Sequence, residues 1–362
     1  MRKFTTLALL SYVICLLLLT NASSAQDHQS GQVFLTEQRI QQVRQNIQNR
    51  SQPAYDAFLQ LQDYISQHSD IVPDVPQTWY VPGFYDDAEG HRQAKNGLRD
   101  QANTAYALAL MFRLTGEKKY AEKSVRFIRA WSTQLDSMSK KDDSTLSFSY
   151  HFPSMIFAAD LLRGEEVWPQ DSQRKFELFL MEKALPMHTM DRENNWGNWG
   201  LVLTSAIAAY LEDEQLFDQS VSRWKYFIGH QIAEDGHLPH EVNRSGGMRG
   251  IWYSHFTLMP QTIAAEILSV NGVDLYNYES PSGHTLQTAF DRIAEWTRSP
   301  ETFPYWDGET SELRGVDYFS YFEILNSLWP NRHAEALLKE DRPLTANHSA
   351  PFLTLTHGQP IE

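Results

Sequence analysis

Two stretches of the chain concentrate side chains that can move protons or hold charge. Asn194–Gly200 reads NNWGNWG, two amides and an indole ahead of a third amide and a second indole. Asp235–Leu268 reads DGHLPHEVNRSGGMRGIWYSHFTLMPQTIAAEIL. It packs His237, His240, His255, Arg244, Arg249 and Tyr253 into a Gly-interrupted run that leads into an apolar helix. An amide can hydrogen-bond a carboxylate, and a guanidinium can meet negative charge as it develops beside one. A phenol can take up and return a proton if nearby cations draw its own proton off, since an unperturbed phenol with pKa ~10 is a poor base. Function usually sits where rigid elements present such groups from their ends and loops. The two stretches are therefore expected to face each other across a cleft suited to an acidic sugar polymer.

Each residue also has a plainer reading. Tyr253 fits a core tyrosine with a satisfied hydroxyl. Arg244 fits a surface ion pair with Glu241, which is three positions away if the segment is helical. Asn195 fits a helix cap serving the free amides at 197 or 198. Trp196 and Trp199 fit packing as well as sugar stacking, and His151, His240 and His255 fit structural histidines. No HExxH-type spacing occurs, so the histidines do not read as a metal site.

The elements that must hold these groups are helical. Thr36–Ile47 and Pro53–Ile65 carry apolar residues at helical spacing, the first behind a Thr cap. Ser69–Gly97 is rich in Pro, Gly and aromatics and reads as a long loop, a lid or a passive crossover. Leu98–Leu114 reads as a helix stopped at Gly116, with Lys118–Leu135 as its antiparallel partner. Further helices are expected over Ser154–Leu162, Gln170–Leu185, Trp199–Leu211, Gln215–Ile232, Leu258–Val270, His284–Thr297, Tyr318–Leu328 and Arg332–Lys339. Strand-like alternation is scarce until the last dozen residues. Consecutive helical pairs with the unusual residues on the long loops point to an all-α fold, an (α/α) toroid or incomplete barrel of hairpins, ahead of a solenoid.

The start of the chain reads as a secretory signal peptide over residues 1–25. Arg2 and Lys3 precede an apolar run from Leu7 to Leu19, and small residues lead to a cut after Ala25. The run is shorter than the ~20 residues a membrane span needs, so no membrane association is expected after cleavage. Residues 26–362 read as one domain, secreted or periplasmic and monomeric. The only Cys is Cys15, inside that run, which removes disulfides, thiolate metal sites and a Cys nucleophile from the remainder. The net charge of −14 argues against nucleic acid as a partner and requires any polyanion to be met by a local basic patch.

Asn194-Asn195-Trp196, followed by Trp199 and a helix, resembles the Asn-Asn-His motif of the family 5 polysaccharide lyases, the alginate lyases. The run His237 to Arg244, then Tyr253, Pro260–Glu266 and Asn271 to Tyr276 is similar to the same proteins over their catalytic half. Leu114-Thr115-Gly116 with Lys119 to Glu122 fits the helical hairpins of the wider superfamily. The motif His falls on Trp196 here, and Ser245-Gly246-Gly247 lengthens the Arg-to-Tyr interval, which points toward a relative such as the family 38 alginate and glucuronan lyases.

The resemblance implies β-elimination of a 4-linked uronate polymer without cofactor or metal. Tyr253 would be base and acid, Asn195 and Arg244 would neutralise the C6 carboxylate, and His240 would be a further catalytic candidate. Trp196, Trp199, His255, His151, Arg249 and Asn194 would line the substrate. The rivals are a hydrolase drawing two carboxylates from Asp100, Asp235, Glu241, Asp307 and Glu309, and a binding protein that does not cleave.

Overall fold

Helices make up nearly all the regular structure, as the helical spacing of the apolar residues requires. The computed structural model describes residues 32–306, 308 and 318–361, so the expected signal peptide, Asp307 and Glu309 lie outside the described residues. In chain order the helices are α1 (Glu37–Gln48), α2 (Ala54–Gln67), α3 (Ala88–Thr115), α4 (Lys118–Gln134), α5 (Ser144–His151), α6 (Pro153–Leu161) and α7 (Gln170–Phe179). They continue as α8 (Asn195–Leu211), α9 (Glu214–Gln231), α10 (Gly250–Val270), α11 (Leu286–Arg298), α12 (Phe322–Leu328), α13 (Arg332–Asp341) and α14 (Leu353–His357). Among the described residues one short parallel pair joins β1 (Thr78–Trp79) to β2 (Ser137–Met138).

Short turns fold successive helices back on one another, giving the expected all-α toroid of hairpins. Gly116, at φ 77°, ends α3 and lets α4 return along it. Glu212, at φ 55°, ends α8, and the Asp213 carboxylate caps α9 by accepting the Leu216 amide. The α8 helix lies at the centre, packed by α5, α6, α9 and α10. It and α10 are apolar on every side because neither presents a solvent face over most of its length.

Three amides tie the central helices together inside this core. Asn198 on α8 donates to Gln231 Oε1 on α9 at 3.0 Å, and Gln261 on α10 donates to the same oxygen at 2.8 Å. Gln231 donates onward to the Glu193 carbonyl just ahead of α8. Buried polar groups cost free energy unless bonded in this way.

Several boundaries differ from the sequence expectation, mostly at N-termini. The α3 helix starts at Ala88 rather than Leu98, because Asp87 caps it by accepting the Gly90 amide, and its first turns are polar. The long loop is correspondingly shorter. It is pinned to the start of α5, where Trp79 donates to the Ser144 carbonyl and the Phe84 amide donates to Asp143. The α10 helix starts at Gly250 rather than Leu258, with Pro260 inside it. Ser144–His151 forms a helix that apolar spacing did not mark, and Leu353–His357, within the last dozen residues, is helical rather than strand-like.

Candidate active site

The NNWGNWG run is the first turns of α8, not the approach to it. Asn194 is the cap: its side-chain oxygen accepts the Trp196 amide at 3.2 Å. The capping role expected for Asn195 thus falls one residue earlier, which releases the Asn195 side chain. That side chain is buried and donates to Glu241 Oε1 at 2.9 Å, while the Asn195 backbone amide donates to the same oxygen at 3.2 Å. The glycines of the motif have a steric reason. A Cβ on Gly197 would stand 1.9 Å from the Arg192 carbonyl oxygen, and one on Gly200 would strike the backbone of Thr189 and Met190.

Glu241 belongs to the loop that carries the second stretch. It is 1 % exposed, and burial raises its carboxyl above the usual range against the opposing pull of the Asn195 hydrogen bonds and the Arg244 charge. The Arg244 amide donates to the Glu241 carbonyl, and the chain then turns through Ser245, Gly246 and Gly247, all at positive φ. The loop is anchored from both sides, since Val242 and Ile251 enter a small apolar cluster with Trp296 and Phe303. Arg244 is therefore not on a helix with Glu241, and the surface ion pair between them is not formed as the spacing suggested. Its guanidinium instead lies 4.2 Å from the centre of the Tyr253 ring.

Tyr253 sits in the first turn of α10, half-buried, with its amide bonded to the Arg249 carbonyl. Asn195, Glu241, Arg244 and Tyr253 thereby form one continuous chain of contacts drawn from two helix starts and the loop between them. Behind Tyr253, rings continue inward from Trp252 to Phe256, then to Trp199 and His348, and on to His151.

Other expected residues are placed differently. His255 is 2 % exposed, with one ring nitrogen bonded to the Tyr321 hydroxyl at 2.9 Å and the other to Thr297 at 2.7 Å. Burial pushes its imidazole down to about 3. At ~100° per residue it points about 200° around α10 from Tyr253, so its ring lies in the core, away from that side chain. Trp199 is 0 % exposed and stacks on His348, which leaves no face for a sugar. Trp196 is half-buried under the Arg192 guanidinium, 4.1 Å from its ring. His151 is 2 % exposed, and neither ring nitrogen has a hydrogen-bond partner. His240 is exposed on the turn before Glu241, and Arg249 is half-buried at the cap of α10. His237 pairs with Asp235 at 2.5 Å near the surface.

The family model described as Alginate lyase matches residues 24–303. The chain belongs to that family. The alginate lyase of Pseudomonas fluorescens is 25 % identical over 233 residues, 60 % of each chain, and that of Cobetia marina 24 % identical over 220 residues, 56 % of each. The match thus spans about three fifths of the length of these curated relatives. Among solved structures, alginate lyase A1-III of Sphingomonas species A1 superposes with a TM-score of 0.74 at 18 % identity, covering 89 % of this chain and 95 % of that one. An alginate lyase of Bacteroides ovatus gives 0.71 at 18 % identity, covering 91 % and 99 %. These structural likenesses establish the toroid fold. Variants of the Sphingomonas enzyme are known in complex with a tetrasaccharide.

This member of the alginate lyase family also carries charges that the sequence reading passed over. Lys95 and Arg99 lie one helical turn apart on the early turns of α3. Burial comes first in lowering the imidazoles of both His151 and His348, and the positive charges of Lys95 and Arg99 add to it. Burial likewise lowers the Lys95 amine, with Arg99 and Arg92 adding to the effect. Arg99 pairs with Asp100 at 2.8 Å, which leaves Lys95 as the less compensated of the two charges. The signal that could have found them was the Asp87 cap with Glu89 in the first turn, which marks a helix start ten residues earlier than apolar periodicity does. His348 carries no motif, and only the fold brings it near.

Proposed function

We propose that this protein is a polysaccharide lyase that cleaves a 4-linked uronate polymer by β-elimination. The observation that carries the reading is the Arg244 guanidinium against the Tyr253 ring, joined through Glu241 to the buried amide of Asn195. The family membership and the tetrasaccharide complexes of a structural relative support the same substrate class. Alginate, mannuronate-rich alginate and glucuronan are the candidate substrates, since these sugars share the C4–C5 arrangement on which elimination acts.

An amide nitrogen has two N–H donors. Asn195 gives one to Glu241, and the other is available to a substrate C6 carboxylate. Arg244 adds a permanent positive charge where the enolate develops, the preorganised stabilisation such intermediates require. Tyr253 takes the C5 proton. The electron pair left behind forms the C4=C5 bond, the C4–O4 bond breaks, and the departing O4 receives a proton from the same phenol. Lys95 and Arg99 supply the local positive patch that an acidic protein needs to hold a polyanion. Residues 1–25 would direct the protein out of the cytoplasm as a cleaved signal.

A panel of polymannuronate, polyguluronate, glucuronan and hyaluronan, followed at the absorbance of a new C4=C5 double bond, tests the proposal. Unsaturated ends should appear from at least one of the first three. Reducing ends that accumulate with no ultraviolet signal would establish hydrolysis instead.

A further inference from the structure

Glu241 is the buried group that the elimination itself does not use. It supplies neither the proton acceptor nor the positive charge, yet it is almost fully enclosed and spends one oxygen on two donors of a single residue, the backbone and side-chain N–H groups of Asn195. A carboxamide is nearly symmetric in shape and can present either its oxygen or its nitrogen to a ligand. The choice matters here, because only the nitrogen can donate to a uronate carboxylate, and the oxygen would repel it. A carboxylate acceptor on the Asn195 nitrogen decides that choice.

We propose that Glu241 is a positioning residue: by accepting from the Asn195 nitrogen it fixes which way round the amide sits, and so leaves the second N–H for the substrate carboxylate. The inference rests on the lyase reading above. The backbone assists, since the Glu241 and Val242 amides both donate to the Leu238 carbonyl and hold the turn that carries the carboxylate. Fixing the amide before substrate arrives is the kind of support by which outer partners make functional groups effective.

A double-mutant cycle on the full-length protein tests this role, with kcat and KM read from double-bond formation on the most active polymer of the panel. Glu241→Ala should lower kcat/KM about 10–100-fold, the loss seen when outer partners that orient a functional group are removed. The same substitution in an Asn195→Ala background should cost less than about threefold, because a group that acts through another has nothing left to act on. Glu241→Gln keeps a carbonyl oxygen for both Asn195 donors and should stay within about fivefold of the unmodified protein. It also serves if Glu241→Ala does not fold. Equal losses from Glu241→Ala with and without Asn195 would make Glu241 merely structural, and Glu241→Gln as damaging as Glu241→Ala would remove the acceptor argument. Absence of any ultraviolet signal from the unmodified protein is a separate outcome, which overturns the lyase reading and this role with it.

Discussion

The Arg244 guanidinium rests 4.2 Å from the centre of the Tyr253 ring, although the two residues belong to different elements. The contact places a fixed cation beside the phenol proposed to carry the proton. Tyr253→Phe deletes one hydroxyl and keeps the ring under Arg244. Turnover should fall by the ~10²–10⁴-fold typical of losing a positioned proton-transfer group, with the melting temperature little changed. A variant that keeps more than about a tenth of the activity would transfer the role to another group, with exposed His240 tested next.

Arg244→Ala should lower kcat/KM about 10²–10³-fold, the range found for donors that stabilise a developing oxyanion. Arg244→Lys should recover only part of this, since an ammonium cannot lie flat on a ring or present a planar fork. Steady-state kinetics of both variants decide the matter. If the lysine variant matches the parent, charge alone suffices and the stacking is incidental.

Lys95 should matter to binding rather than to the chemical step. Lys95→Ala should raise KM about tenfold, the low end for a hydrogen bond to a charged group, and should flatten the dependence of KM on salt while kcat stays close to the parent value. An unchanged KM would remove α3 from the substrate path.

His255 ties acid sensitivity to the core. Its folded-state value is near 3 and the unfolded value is ~6.5, so below the latter the unfolded chain binds the extra proton. The stability it contributes is complete above about pH 6.5 and is lost as pH falls toward 3, at up to ~1.4 kcal/mol per pH unit. His348, also near 3, adds a loss of the same sign. Urea unfolding between pH 6 and pH 4 should therefore show a steep fall, and His255→Gln should reduce the slope by about one proton. A slope that His255→Gln leaves unchanged would contradict the burial of a neutral imidazole.

The helical class, the hairpin order and the two reactive stretches were legible because each depends on local periodicity and residue type. Gly116 closed α3 where expected and Thr36 capped α1. The misplaced starts have separate causes. The first turns of α3 are polar, so apolar spacing is silent where the Asp87 cap sets the boundary, and α10 opens behind a Gly-rich turn that masks the apolar Ile251 and Trp252. Asn194 and Asn195 were not separable by sequence, since adjacent identical residues differ only in which one the helix turns inward. Trp199 and His255 read as site residues from their neighbours, but tertiary packing sends their rings into the core. His348 is far along the chain from Lys95 and Arg99, and no local pattern announces that the toroid brings it near them.

The shared oxygen of Gln231 has a mechanical consequence. It is held at once by Asn198 of α8 and Gln261 of α10, the helices whose first turns bear Asn195 and Tyr253. Sliding either helix by one turn, ~5.4 Å, would strand these amides in an apolar interior. Intermediate offsets would fail as well, because a shift of about 1 Å or more takes both bonds out of hydrogen-bonding range. The pair of helices therefore has a single permitted register. A substitution at Gln231 should misalign Asn195 and Tyr253 together, as a worn gear tooth puts both of its shafts out of phase.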